Sequence, residues 1–357
     1  MLRFRYPSIV DGSYASSAPL RLYSQEVDTN KYFDKVTEVA EGASEGCAHN
    51  VRSTLFALRD ELYSEFGDGD SHNGNNILDA ANALGFCLST FPTYIKTIEE
   101  FVSEAIQYLV PAIFADFNMG YYPPGPETDL ARACAIFGAQ GTSPKQKIRR
   151  FFALRGMIDS PNNNDDDSDS DDYCYDVSLE IPAGPFSKIR GSDNSGSGGG
   201  LEGRIWEFQC CKDLIVGAGY SPESMFLPRP FSYEWHKDHC EAEFPGIDVN
   251  ATRMRDEWGF SDLTTRTSNI VFANGMHDGW ETSSITNATA VSESSGLFVV
   301  NFPNGAHHSE LKRGPYPNPS DTDDIVEGYQ TATTILSGWL EDISAGASAA
   351  IPTHRMT

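Results

Sequence analysis

The stretch Asn269-Ile270-Val271-Phe272-Ala273-Asn274-Gly275-Met276-His277-Asp278-Gly279-Trp280 begins as a short apolar run and ends in a polar, Gly-containing turn. A second stretch repeats the pattern: Leu297-Phe298-Val299-Val300-Asn301 leads into Pro303-Asn304-Gly305-Ala306-His307-His308. Continuous apolar runs of this length, rich in Val and Phe, suit strands covered on both faces, as in a parallel sheet. In an open parallel sheet, groups just past the C-terminal strand ends line the crevice where ligands bind. Asp278 and His307 are therefore expected side by side, although 29 residues (307 − 278) separate them.

Outward from these strands, Ile325, Tyr329, Ala332, Leu336, Trp339, Leu340 and Ile343 recur at helical spacing. From about 28 to 155 the spacing of three and four returns, in Phe33, Val36, Val39 and Ala40, in Leu55, Leu58 and Leu62, and in Ile95 through Leu109. Such spacing gives each helix one apolar face. Residues 8–20, small and apolar, are expected to form a strand. Strands alternating with helices imply an α/β sheet.

Composition bounds the function. The 357 residues hold 26 Lys+Arg against 51 Asp+Glu, a formal net charge of −25. An acidic surface repels nucleic-acid phosphates and anionic lipid headgroups, so neither polyanion is an expected partner. No stretch approaches the roughly 18 apolar residues of a membrane helix. The N-terminus lacks the apolar segment of an export signal. Seven cysteines and two N-x-Thr sequons, at Asn250 and Asn287, nevertheless point toward an oxidising compartment. Between Asp165 and Asp176 stand seven acids and no base. The alternation there imitates a calcium loop, but an EF-hand needs Gly at position six and Glu at twelve, where Ser170 and Asp176 stand. With the Gly/Ser-rich 191–200 segment, these acids bracket an expected loosely structured zone at 159–202.

An Asp and a His that meet at strand ends suit nucleophilic catalysis. The His takes a proton from a Ser hydroxyl, and a buried carboxylate holds its tautomer and stabilises the imidazolium. In α/β-hydrolases the chain order is nucleophile, acid, His, which Asp278 and His307 fit as the last two members. The plainer reading of Asp278 is a carboxylate capping its own turn. Metal binding by the adjacent His307 and His308 is disfavoured, because neighbouring side chains on a loop diverge and no ligand-spaced partner follows. Gly42-Ala43-Ser44-Glu45-Gly46 matches a nucleophile elbow literally, but an acidic helical pattern precedes it, not an apolar strand. Ser44 is expected in a loop between helices.

Trp206-Glu207-Phe208-Gln209-Cys210-Cys211, the Asn269–Trp280 stretch and Gly305-Ala306-His307-His308 together resemble the serine carboxypeptidase family of lysosomal Pro-Xaa carboxypeptidase, dipeptidyl peptidase II and thymus-specific serine protease. Tyr6-Pro7-Ser8-Ile9-Val10-Asp11-Gly12 with Ala18-Pro19 resembles that family's segment just after its nucleophile. The resemblance implies an α/β-hydrolase fold, incomplete for want of its N-terminal strands, with an inserted helical cap. Its implied division is 1–24 and 203–357 for the hydrolase core, 25–158 for the cap and 159–202 for the acidic and Gly/Ser-rich loop. It implies a serine-type exopeptidase acting near proline in peptides. Asp278 would be the triad acid, His307 the general base and Trp280 a wall of the substrate pocket. The nucleophilic Ser is expected to lie outside residues 1–357, and an inactive, peptide- or partner-binding homologue is the alternative. Two departures from the pattern are Gly279, where the family has Pro, a replacement expected to loosen the turn that aims Asp278, and Glu281, where a small residue is usual. The resemblance also pairs Cys211 with Cys240, Cys47 with Cys134 and Cys87 with Cys174, leaving Cys210 single. It implies glycosylation at Asn250 and Asn287, no cofactor or metal, a lysosomal, vacuolar or secreted location, and room for a homodimer.

Overall fold

The computed structural model describes residues 1–67, 75–93, 95–156, 158–159, 173–177, 201–258, 266–286, 296–311 and 316–344. The acids at 165, 166, 167, 169, 171 and 172, the 191–200 segment and Asn287 lie outside them. The organising element is a parallel sheet in the order β1 (Ser13–Ser16), β4 (Ile270–Gly275), β5 (Leu297–Phe302). Ser13 pairs with Ile270 and Ile270 with Leu297, so all three strands run in register toward one edge. Every residue of β4 is buried, as its unbroken apolar run requires of a central strand. Alternation splits it between two cores: Ile270 and Phe272 pack with Met254 and Leu297, while Val271 and Ala273 face the helices.

The strand expected at 8–20 is shorter. Ser17 adopts a positive φ of 45°, and Pro19 leads into a one-turn helix at Leu20–Tyr23, so pairing stops at Ser16. The helical region contains α1 (Lys31–Ala43), α2 (Cys47–Phe66), α3 (Asn75–Ala83), α4 (Leu109–Met119), α5 (Asp129–Gly138) and α6 (Pro144–Arg155). Ser143 begins α6 with a reciprocal cap involving Gln146, and Pro144 occupies the first turn, where its missing N–H costs nothing. Ser44 sits in the bend between α1 and α2, as the acidic helical pattern before it requires.

Within the zone expected to be loose, a two-residue ribbon pairs β2 (Ile158–Asp159) with β3 (Tyr173–Cys174). Tyr175 and Val177 are buried beside it. Beyond lie α7 (Leu201–Lys212), α8 (Tyr233–Glu243) and the final α9 (Asp323–Ser344). Disulfides join Cys47 to Cys134, Cys87 to Cys174 and Cys211 to Cys240, and Cys210 is free. The helices and the sheet share one apolar cluster, running from Val36, Leu55 and Phe151 to Val271, Phe302 and Ile325. Among the described residues no helix is long and apolar enough to cross a membrane.

Candidate active site

Parallel pairing sends the chain out of β1, β4 and β5 at the same edge, so three sequence-distant loops meet there. The β4 and β5 loops are tied by Met276 N–H to the Phe302 carbonyl (2.9 Å) and His277 N–H to the Gly305 carbonyl (2.8 Å). Only glycine fits at 275, because a Cβ there would lie 2.2 Å from the Ala306 carbonyl oxygen. The close approach delivers Asp278 to His307: Nδ1 of His307 and Oδ2 of Asp278 are 2.8 Å apart. Asp278 is 1% exposed. An ionised carboxylate only accepts, so the His307 proton sits on Nδ1 and Nε2 is left as the proton acceptor. Among the described residues nothing hydrogen-bonds to that Nε2.

The plainer reading of Asp278 also describes it, since its Oδ1 accepts the Trp280 N–H (3.0 Å) and caps the short helix Gly279–Ser283. One carboxylate thus both orders the turn and orients the imidazole. Trp280 is half-buried, with its ring 4.3 Å from that of Tyr32 on α1. Burial, and then the Asp278 charge, push the Tyr32 hydroxyl far above its ordinary value, so it stays protonated.

Both departures have a physical account. Gly279 does not leave the Asp278 turn loose. Its N–H donates to Asn118 Oδ1 on α4 (3.0 Å), and Asn118 Nδ2 donates to the His277 carbonyl (2.8 Å). A proline at 279 has no N–H to give, and any Cβ there would meet the Tyr32 ring at 2.6 Å. Glu281 lies 3.9 Å from Lys35 Nζ. Burial raises its carboxyl above the ordinary value, and Lys35 offsets only part of that.

Sequence reading missed Asn118, Ser16 and Glu310. Asn118 had a signal, a lone amide in a helix whose neighbours Ile113, Phe114 and Phe117 are all core. Ser16, at the end of β1, lies 2.7 Å from His308 Nδ1 and donates to Glu310 Oε1 (2.5 Å). The His307 and His308 rings are 3.8 Å apart between centroids. Burial and the neighbouring His307 lower the His308 pKa.

The other predicted residues lie elsewhere. Asn250 is exposed, its side-chain oxygen accepting from Thr252 N–H (2.9 Å). Cys211, Cys240 and His236 bring possible metal donors within 4.8 Å of one another, but both sulfurs are spent in a disulfide and are not thiolates. Burial pushes the free Cys210 thiol up to about 12, which leaves it inert as a nucleophile. An acidic depression of about 590 Å³ opens beside the β5 loop, lined by Asn304, Asp321, Asp323, Asp324 and Glu327. It does not include the Asp278–His307 pair.

A family model described as serine carboxypeptidase S28 matches residues 1–330. A prolyl carboxypeptidase-like protein of Caenorhabditis elegans is 22% identical over 95% of this chain and 62% of its own length. The lysosomal Pro-X carboxypeptidases of Bos taurus and Homo sapiens are each 20% identical, over 95% and 96% of this chain and 60% and 62% of their own lengths. The chain thus spans about three fifths of the length of these curated relatives.

Proposed function

The chain belongs to the serine carboxypeptidase S28 family, and from that premise we propose that it forms part of a serine exopeptidase cleaving peptides near proline. Asp278 is the triad acid and His307 the general base that removes the proton of a serine hydroxyl and returns it to the leaving amine. The observation that carries this reading is the 2.8 Å contact between a buried carboxylate and His307 Nδ1 at the C-terminal edge of a parallel sheet. The nucleophile is supplied by sequence outside residues 1–357. Ser44 is in a helix-connecting bend, and Ser16 is engaged with His308 and Glu310, not with His307.

Trp280, held against Tyr32, walls the pocket for an apolar substrate side chain such as proline. The α1–α6 region is read as a cap inserted into the hydrolase core, and the shared apolar cluster fixes it against the sheet. Three disulfides and the exposed sequon at Asn250 suit an oxidising compartment. The names of the mammalian relatives point the same way, so we assign a lysosomal or secreted location.

The test is fluorophosphonate labelling with mass-spectrometric mapping, together with hydrolysis of peptides carrying a penultimate proline. It compares the 357-residue chain with the longest open reading frame that contains it. The expected result is a labelled serine outside residues 1–357, no labelling within them, and loss of about 10⁴ in kcat on Asp278→Asn. Labelling at Ser44 overturns the assignment. Peptide binding without turnover in the longer protein would favour an inactive binding homologue instead.

A further inference from the structure

Glu310 is 1% exposed, and among the described residues no Lys or Arg lies within ion-pair distance of it. A carboxyl group so placed needs either a partner charge or a set of donors. Its donors are two hydroxyls on one oxygen: Ser16 Oγ at 2.5 Å and Tyr14 OH at 3.2 Å from Oε1. Its Oε2 is buried with no hydrogen-bond partner among the described residues. Burial, and then the charge of Glu310, hold the Tyr14 hydroxyl far above its ordinary value, so Tyr14 remains a donor.

Ser16 has one hydroxyl proton, and the 2.5 Å bond to Oε1 commits it to Glu310. The 2.7 Å contact from Ser16 Oγ to His308 Nδ1 is then satisfied only if Nδ1 carries a proton. The His308 backbone adopts a positive φ of 53°, costly for a residue with a Cβ. Its N–H donates to Ser17 Oγ (3.2 Å), and Ser17 also has a positive φ. Two strained residues from different loops thus brace each other at the end of β1. The ring they hold lies 3.8 Å from that of His307.

We propose that Glu310 is a positioning acid for the second imidazole. Through Ser16 it fixes His308 with its proton on Nδ1, and the clamped ring keeps His307 turned toward Asp278. The site then has two acid-supported imidazoles, one joined directly to its carboxylate and one through a hydroxyl. The groups facing His308 are His307, Asp278 and Glu310, and Tyr316, stacked on Tyr329, lies near Glu310.

The functional half of this proposal rests on the reading of His307 as general base, whereas the clamp is testable without catalysis. Two-bond ¹H–¹⁵N correlation spectra of the 357-residue chain at neutral pH report the tautomer of each histidine. The expected spectrum has His308 protonated on Nδ1, and Ser16→Ala, a small change at a half-buried residue, converts it to a tautomer mixture. In the same variant the His307 Nδ1–H signal should exchange at least about tenfold faster. Glu310→Gln retains an acceptor oxygen and should preserve the wild-type tautomer, whereas Glu310→Met should not. In the longer protein, Ser16→Ala should lower kcat about tenfold with KM unchanged. A wild-type His308 protonated on Nε2, or a Ser16→Ala spectrum unchanged at both histidines, overturns the clamp. Either result leaves the Asp278–His307 reading standing, since fluorophosphonate labelling decides that separately.

Discussion

Asn118→Ala should uncouple the helices from the turn that carries Asp278. Asn118 is fully buried on α4, and its amide spans the turn, accepting from Gly279 N–H at 3.0 Å and donating to the His277 carbonyl at 2.8 Å. Alanine leaves both backbone groups buried without partners. Each unsatisfied group costs about 1–3 kcal/mol, so the two together cost about 2–6 kcal/mol, and the small void adds to that. That is a large share of the roughly 5–15 kcal/mol by which domains are stable. The loss should appear as a lowered urea midpoint, with weakening of the downfield His307 Nδ1–H resonance, because the same turn aims Asp278. Asn118→Asp adds a check: its carboxylate faces the His277 carbonyl without a proton to donate, so at neutral pH it should be at least as damaging. A midpoint within about 0.5 kcal/mol of wild type for Asn118→Ala would refute the claim that this amide carries the turn.

Gly279→Pro should cost more than Gly279→Ala in thermal melts. Both drive a Cβ toward Tyr32, but only proline also removes the N–H held by Asn118, adding about 1–3 kcal/mol. Glu281→Gln should stabilise the protein at pH 7. A carboxyl raised above its ordinary 4.5 by burial binds its proton more tightly when folded, so wild-type stability falls as pH climbs from 4.5 through the raised value. The two proteins should therefore converge below 4.5, and a variant less stable at neutral pH would mean that Lys35 outweighs burial. Replacing both Cys211 and Cys240 by alanine releases a 29-residue closure and should cost about 3–4 kcal/mol in urea unfolding.

The apolar run at 270–273 was legible because a strand buried on both faces has no polar positions to disguise it, and the run at 297–300 was legible from the same composition although this edge strand is only partly covered at Phe298 and Val299. The meeting of Asp278 with His307 followed from parallel topology alone, since both lie just past strand ends. What the strands do not encode is which helical residue reaches them. The tie from Asn118 to residues 277 and 279 crosses about 160 positions, and no local period announces such a contact. The reach of β1 was overestimated because small residues such as Ser17 and Ala18 suit a strand and a turn equally. Ser17 turns away with a positive φ, and its hydroxyl accepts from the His308 N–H of the β5 loop. Glu310 stayed hidden because one residue of a charged-looking Ser-Glu-Leu-Lys run reads as surface, although the fold turns it inward.

The β2–β3 ribbon has a consequence for how this chain tolerates change. Asp159 pairs with Tyr173, and the next residue, Cys174, is bonded to Cys87. Positions 159 and 173 are therefore held together at one doubly anchored point. Lengthening a loop between fixed ends costs only about 0.6 kcal/mol per doubling. A change in the number of residues between positions 159 and 173 should therefore leave the Asp159–Tyr173 pair and the Cys87–Cys174 link in place, a tolerance that urea unfolding of insertion variants can measure.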